Sequence, residues 1–280
     1  MDIQWYPGHM TKARRQMQED LKLIDLVIEL TDARAPQSSR NPDIDALSAN
    51  KSRIIILNKA DLADEHESRA WAEYYKSKGF SCIIADSRKA SALKSLPQMV
   101  TEACSEKIAR DARRGIKNRP IRAMVAGIPN CGKSTFINSY AGRAAAKTGN
   151  KPGVTKGKQW IKLGKGLELL DTPGILWPKF DDPQVGVNLA MLGYINDQII
   201  NIEELSINVI EFMTENYPGR IAERFGIDES LRPAEILYEI GRKRGCLTKG
   251  SEVSYEKAAA ILMDEFRSGK LGRITLEKAQ

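Results

Sequence analysis

The chain has 280 residues, 42% of them hydrophobic and 28% charged, with a formal net charge of +7 and a pI of about 9.1. This composition fits a soluble globular protein large enough for a full α/β domain and a smaller one. The longest aliphatic runs are too short to span a bilayer. The acid-bearing start MDIQWYPGHM has no signal-peptide core, and Cys82, Cys104, Cys131 and Cys246 form no CxxC pair. Free thiols in a reducing cytosol are expected rather than a disulfide framework or a zinc site. The positive balance suits a polyanionic partner.

In chain order, Thr11 to Leu23 reads as a helix and Ile24 to Leu30 (IDLVIEL) as a short apolar strand. Arg53 to Leu57 is a second buried strand, followed by a helix from Glu65 to Ser77 that Gly79 ends. Phe80 to Ala85 is a third strand. A basic helical stretch then runs to about Arg119, where Pro120 stops it. Ile121 to Ala126 is the next strand and Lys133 to Ala141 the helix after it. Lys158 to Leu163 and Gly166 to Leu170 pair as strands across a turn. Past Pro178 the strand signals disappear, leaving helices at Val185 to Ile195, Asn201 to Asn216, Pro218 to Phe225, Pro233 to Arg242 and Ser254 to Phe266. Strands alternating with helices predict a mainly parallel sheet covered on both faces. A boundary near Trp177 to Pro183 divides an α/β domain, residues 1–178, from a small all-helical domain, residues 179–280.

Three motifs fall at the strand ends. Gly127 to Ser134 (GIPNCGKS) matches the phosphate-loop pattern GxxxxGK[ST] between a strand and a helix. Its backbone N–H groups, including those of Asn130, Cys131, Gly132 and Thr135, can cradle phosphates at a helix N-terminus. Lys133 supplies charge to the β/γ-phosphates and Ser134 a hydroxyl to magnesium. Asn58-Lys59-Ala60-Asp61 (NKAD) ends the second strand, where ligands sit in open α/β sheets. There Asp61 can accept from guanine N1–H and the 2-amino group, Asn58 can face guanine O6 and local backbone, and the Lys59 stem can pack along the base. Adenine lacks those donors, so ATP would leave a carboxylate unpaired. Ser87 and Arg88, after the third strand, fit the remaining base-contact loop. Asp171 in Asp171-Thr172-Pro173-Gly174 would hold magnesium through a water, the Gly174 N–H would sense a γ-phosphate, and Thr155 would join magnesium only when that phosphate is present.

These parts stand in an unusual order. In ordinary P-loop GTPases the phosphate loop comes first and NKxD near the end; here NKAD precedes the phosphate loop, so the nucleotide domain reads as circularly permuted. Ras-like proteins carry a water-orienting glutamine after DxxG, whereas this chain has Ile175, an aliphatic side chain that cannot polarise water. Slow intrinsic hydrolysis is expected unless another group helps. His9 in Pro7-Gly8-His9-Met10 is the candidate, with a helix-capping role as the alternative. Asn130 could ligate a monovalent cation that supplies the charge an arginine finger gives elsewhere.

With WYPGHM, Asp32-Ala33-Arg34-Ala35-Pro36 (DARAP), NKAD, GIPNCGKS, the PGVT around Thr155 and DTPGILWPKF, nearly the whole chain resembles the circularly permuted GTPases that act in bacterial ribosome biogenesis. The resemblance implies a GTPase that binds the large ribosomal subunit precursor and acts late in its maturation. It further implies a C-terminal helical domain on ribosomal RNA, His9 as a catalytic helper, magnesium, and potassium stimulation through Asn130. Cys131 stands where the family commonly has valine, giving the site a thiol. Basic residues concentrate from Lys107 to Arg122, seven against one acid, and from Arg143 to Lys165, seven with none; phosphate contact is one reading and a solvated face the other. The expected protein is a cytoplasmic monomer, a GTP-binding and GTP-hydrolysing assembly factor whose nucleotide state controls its hold on the particle. The alternative is a nucleotide-dependent RNA-binding module with negligible turnover.

Overall fold

The computed structural model describes residues 9–116, 119–142, 159–163, 166–172 and 180–279. The first unit is built on a six-stranded sheet of order β3-β2-β1-β4-β6-β5, from β1 (Leu26–Asp32), β2 (Ser52–Asn58), β3 (Ser81–Ile84), β4 (Ile121–Ala126), β5 (Gln159–Leu163) and β6 (Leu167–Asp171). All neighbouring pairs are parallel except the β5–β6 edge, which is antiparallel. Every residue of β1 is buried, as a central strand with both faces covered requires. The helices of this unit are α1 (His9–Leu21), α2 (Pro42–Leu47), α3 (Glu65–Ser77), α4 (Leu96–Ala103), α5 (Ser105–Arg113) and α6 (Lys133–Ala141).

The local chemistry explains most boundaries. Asp64 caps α3 by accepting from the His66 and Glu67 N–H groups, and Gly79 follows its last turn at φ +83°, a conformation glycine adopts without strain. The basic stretch after β3 is not one helix. A 3-10 turn (Ala90–Leu93) precedes α4 and α5, which meet at Cys104, and α5 ends at Arg113 because Gly115 turns left-handed. Helix α2 was not foreseen: it is one and a half turns long with only Ile44 buried, too short for an apolar period. Its signal was local instead, Asn41 as cap and Pro42 at the first turn.

The second unit spans Asp181–Ile274 and is helical: α7 (Pro183–Met191), α8 (Ile202–Asn216), α9 (Arg220–Phe225), α10 (Pro233–Lys243) and α11 (Tyr255–Arg267). Asn201 and Ser254 cap α8 and α11. Leu205, Val209, Met213, Leu237, Ile240, Leu262 and Phe266 form its interior, and one β-bridge joins Leu247 to Val253. Buried Glu265 accepts from Arg224 and Arg244, and its carboxyl lies below the usual range because Arg224 hydrogen-bonds its charged form. The expected helical domain, 179–280, needs one correction. The chain leaves the helical unit at Ile274, and from Thr275 onward it belongs to the α/β unit. The sequence gives little sign of this, because 275–279 is tied down by backbone and carboxylate bonds rather than by an apolar pattern.

Candidate functional site

The candidate site gathers at the C-terminal ends of the parallel strands. Asp32 and Asn58 are register partners that end β1 and β2, and β4 feeds the phosphate loop beside them. Strand connections leave β1 and β4 in opposite directions along the sheet, which makes this a topological switch point.

Asn58 holds three loops together. Its Nδ2 donates to the Cys131 carbonyl at 2.8 Å, and its Oδ1 accepts from the Ser87 N–H at 3.0 Å. One buried side chain therefore joins NKAD to the phosphate loop and to the loop after β3. Its two amide ends are both satisfied, as burial demands. The backbone is shaped for close approach. A Cβ at Gly132 (φ +102°) would lie 2.4 Å from Asn58 Nδ2, and one at Gly127 would lie 2.6 Å from the Leu30 carbonyl oxygen. Only glycine fits either place. Asn130, at φ +62°, is exposed at the tip of the loop.

Inside the loop the Lys133 ammonium donates to the carbonyls of Gly127 (3.1 Å) and Ile128 (2.8 Å). A nearly buried cation ringed by loop backbone is the environment a phosphate-binding lysine needs. Ser134 and Thr135 follow on the first turn of α6, half-buried. Asp171 ends β6, paired in register with Val125 of β4, and the Thr172 hydroxyl donates to the Val125 carbonyl at 2.7 Å. The Ser134 hydroxyl and the buried Asp171 carboxylate are hard oxygen donors of the kind magnesium takes. Cys131 is fully buried, with its sulfur 4.0 Å from the Lys133 ammonium. The thiol expected from sequence is therefore present but has no surface for a reagent.

At the base end, Asp61 accepts from Arg88 at 2.7 Å, and the same guanidinium bonds Asp86 through two nitrogens at 2.8 and 3.0 Å. Arg88 holds the Asp86 carboxyl below its ordinary range. The Arg88 contact uses one lone pair of Asp61 Oδ2, so both carboxylate oxygens of Asp61 keep acceptor capacity. Lys59 sits at φ +57° with its ammonium 3.4 Å from the buried Asp32 carboxylate. Asp32 is held in turn by Arg34 through Nε (3.0 Å), a terminal nitrogen (2.8 Å) and the backbone N–H (2.9 Å).

The structure thus brings together Asn58, Lys59, Asp61, Ser87, Arg88, Asn130, Cys131, Gly132, Lys133, Ser134, Thr135 and Asp171. Thr155 and Gly174 lie outside the described residues. His9 opens α1, and its side chain lies outside the described part. Sequence reasoning left Asp32, Arg34 and Asp86 without a role in the site. Their signal was there, an acid following a buried strand at the ligand-binding edge, but nothing local says that it serves a neighbouring loop.

Residues 122–234 match a family model described as a 50S ribosome-binding GTPase. The match starts in β4 and leaves NKAD outside it, as the permuted order requires. A protein of Bacillus cereus called ribosome biogenesis GTPase A is 48% identical, with 99% of this chain and 94% of that protein covered. Its counterpart in Thermotoga maritima is 34% identical over 99% of this chain and 95% of that protein. The crystal structure of GNP-bound YlqF from T. maritima superposes with a TM-score of 0.68 at 30% identity, covering 96% of this chain and 99% of that one.

Proposed function

The chain belongs to the ribosome biogenesis GTPase A family, and from that membership we propose that it acts on the large ribosomal subunit precursor, with its hold on the particle set by the bound nucleotide. The protein is a circularly permuted P-loop GTPase that hydrolyses GTP to GDP and phosphate and serves ribosome assembly. The observation that carries the reading is the Asn58 side chain, which bonds the phosphate loop and the Ser87 loop at once. Elements far apart in the chain thereby form one nucleotide site.

In the proposed site, Asp61 reads guanine N1–H and the 2-amino group, with the Ser87 loop beside the base. The loop amides through Thr135 cradle the phosphates, and Lys133 exchanges its carbonyl partners for β/γ-phosphate oxygens. Ser134, Thr155 and Asp171 would hold magnesium, which would supply positive charge to the phosphates. Asn130 would hold potassium, which would supply further positive charge to the phosphates. The Gly174 N–H marks the γ-phosphate, and His9 positions or polarises the attacking water that Ile175 cannot.

Binding to the particle draws on the helical unit and on the basic stretch. Lys107, Arg119 and Arg122 are paired with Asp25, Asp111 or Glu168, while Arg113 and Arg114 are exposed and available to RNA phosphates. No helix among the described residues is long and apolar enough to cross a membrane; we place the protein in the cytoplasm as a monomer. The test is multiple-turnover GTP hydrolysis with and without large-subunit precursors. A slow basal rate that rises strongly with precursor supports the reading, and a rate indifferent to precursor refutes it.

A further inference from the structure

Residues 275–279 leave the helical unit and clasp the α/β unit behind NKAD. The Thr275 hydroxyl accepts from the Asp64 N–H at 3.2 Å and faces the Ala33 carbonyl at 3.4 Å. The Leu276 N–H donates to the Arg34 carbonyl at 2.6 Å. The Glu277 carboxylate accepts from the N–H groups of Gln37 (2.7 Å) and Ser38 (2.9 Å) and from the Ser38 hydroxyl. Its carbonyl accepts from the buried Trp71 indole at 3.0 Å. Ala279 packs against the cluster that includes Ala33, Leu57, Ala60 and Trp71.

The peptides gripped by this segment are those that hold the base-recognition element from behind. The Ala33 N–H donates to the Asn58 carbonyl at 2.8 Å. The Arg34 N–H and guanidinium fix Asp32, which faces Lys59. Asp64, on the other side, lies three residues after Asp61 and caps α3. The segment that follows β1 and the one that follows Asp61 are therefore both bonded to residues 275–279.

We infer that residues 275–279 form a positioning strap for guanine recognition. Docked, the strap holds Lys59 and Asp61 at their stations; undocked, it lets the element relax and the nucleotide leave. The strap continues directly from the helical unit at Ile274, so a partner that pulls on that unit acts on nucleotide release through this segment. The inference rests on the assignment of Asp61 as the base reader.

The test is the dissociation rate of a fluorescent GDP from the full-length protein carrying Thr275→Val, which deletes both hydroxyl bonds, or Glu277→Gln, which turns a donor toward a backbone N–H. Each is expected to release GDP about tenfold faster, the effect of removing one to two hydrogen bonds. Turnover at saturating GTP should stay within about twofold, so that KM moves and kcat does not. Thr275→Ser, which keeps the hydroxyl, should restore slow release. Asn201→Ala, which removes a helix cap in the helical unit, serves as a control for stability alone: it lowers Tm without hastening release. Release at the wild-type rate from both strap variants, or no faster than from a control of equal Tm, overturns the inference. Asp61→Asn in the same assay separates it from its premise. An unshifted base preference removes NKAD from the site, whereas a switched preference with unaltered strap variants overturns the strap alone.

Discussion

Gly132→Ala probes the join between the phosphate loop and the base element. The new Cβ would sit 2.4 Å from Asn58 Nδ2, and the residue would keep φ near +102°. The backbone cost alone is about 1–2 kcal/mol for a non-glycine residue in left-handed space. Asn58 must also swing aside, breaking its 2.8 Å bond to the Cys131 carbonyl and disturbing its 3.0 Å bond from Ser87. A buried polar group left unpaired costs about 1–3 kcal/mol. The sum, about 2–5 kcal/mol, is within the stability of an ordinary domain, so the protein should fold with a lowered Tm. The displaced side chain is the one that joins the site, so about 2 kcal/mol should appear in binding, near 30-fold weaker GDP affinity. Gly142→Ala is the matched control: its φ is +65° but nothing lies within 4 Å of the added carbon. It should lower Tm through strain and leave affinity alone. Isothermal titration with GDP and a thermal melt of both variants suffice. If Gly132→Ala binds GDP as tightly as Gly142→Ala, Asn58 does not join the site.

Asp61→Asn should weaken GTP binding and favour xanthosine triphosphate, whose base presents an acceptor where guanine has its amino group; competition between the two nucleotides is the readout. Lys133→Ala should weaken nucleotide binding, whereas His9→Ala should spare affinity and lower turnover by about 10²-fold. Equal loss of both in His9→Ala would make its role structural. Neutralising Arg113, Arg114 and Lys117 together should flatten the salt dependence of precursor binding, by roughly 0.7–0.9 in log–log slope for each RNA phosphate no longer engaged. Glu265→Ala should destabilise the helical unit by about 2 kcal/mol at neutral pH, less than a fully buried pair because Arg224 and Arg244 are partly exposed. The folded carboxyl is held below its ordinary value of 4.5, so its contribution is present above that value and disappears as pH falls through the folded pKa. Wild type and Glu265→Ala should therefore converge in Tm under acid, and a constant gap would refute the ion-pair account.

The strands and helices that carry the motifs were legible because each has a local cause. Ile121–Ala126 and Lys133–Ala141 match their expected bounds, an apolar run into a glycine loop and a helix out of it. The helices capped by Asp64, Asn201 and Ser254 begin within one residue of their expected starts. Asn58, Asp61 and Ser87 could be assigned because strand ends of an open sheet share one edge. What stayed hidden depends on groups distant in sequence. Nothing near Arg88 signals that it would bridge Asp61 and Asp86, and nothing near Glu277 signals that it would receive the N–H groups of Gln37 and Ser38. Such bonds are fixed by the finished fold, so no local pattern of residues encodes them.

Among the described residues, the helical unit has two chain connections to the nucleotide-binding unit, at Phe180–Asp181 and at Ile274–Thr275. One is the segment from Asp171 to Phe180, which in the proposed cycle responds only when a γ-phosphate is bound. The other is the strap, which packs behind the base element, and in the proposed cycle that element meets guanine in GTP and GDP alike. A particle that engages the helical unit can therefore change affinity in two distinguishable ways. Coupling through the first link alters GTP affinity and leaves GDP affinity unchanged; coupling through the strap shifts both by the same factor. Reciprocity requires each shift to reappear in the particle's own affinity for the corresponding nucleotide state. Measuring GTP and GDP binding with and without precursor, in wild type and in Glu277→Gln, resolves the two. A shift in GDP affinity that survives in Glu277→Gln would show that the particle does not act through residues 275–279.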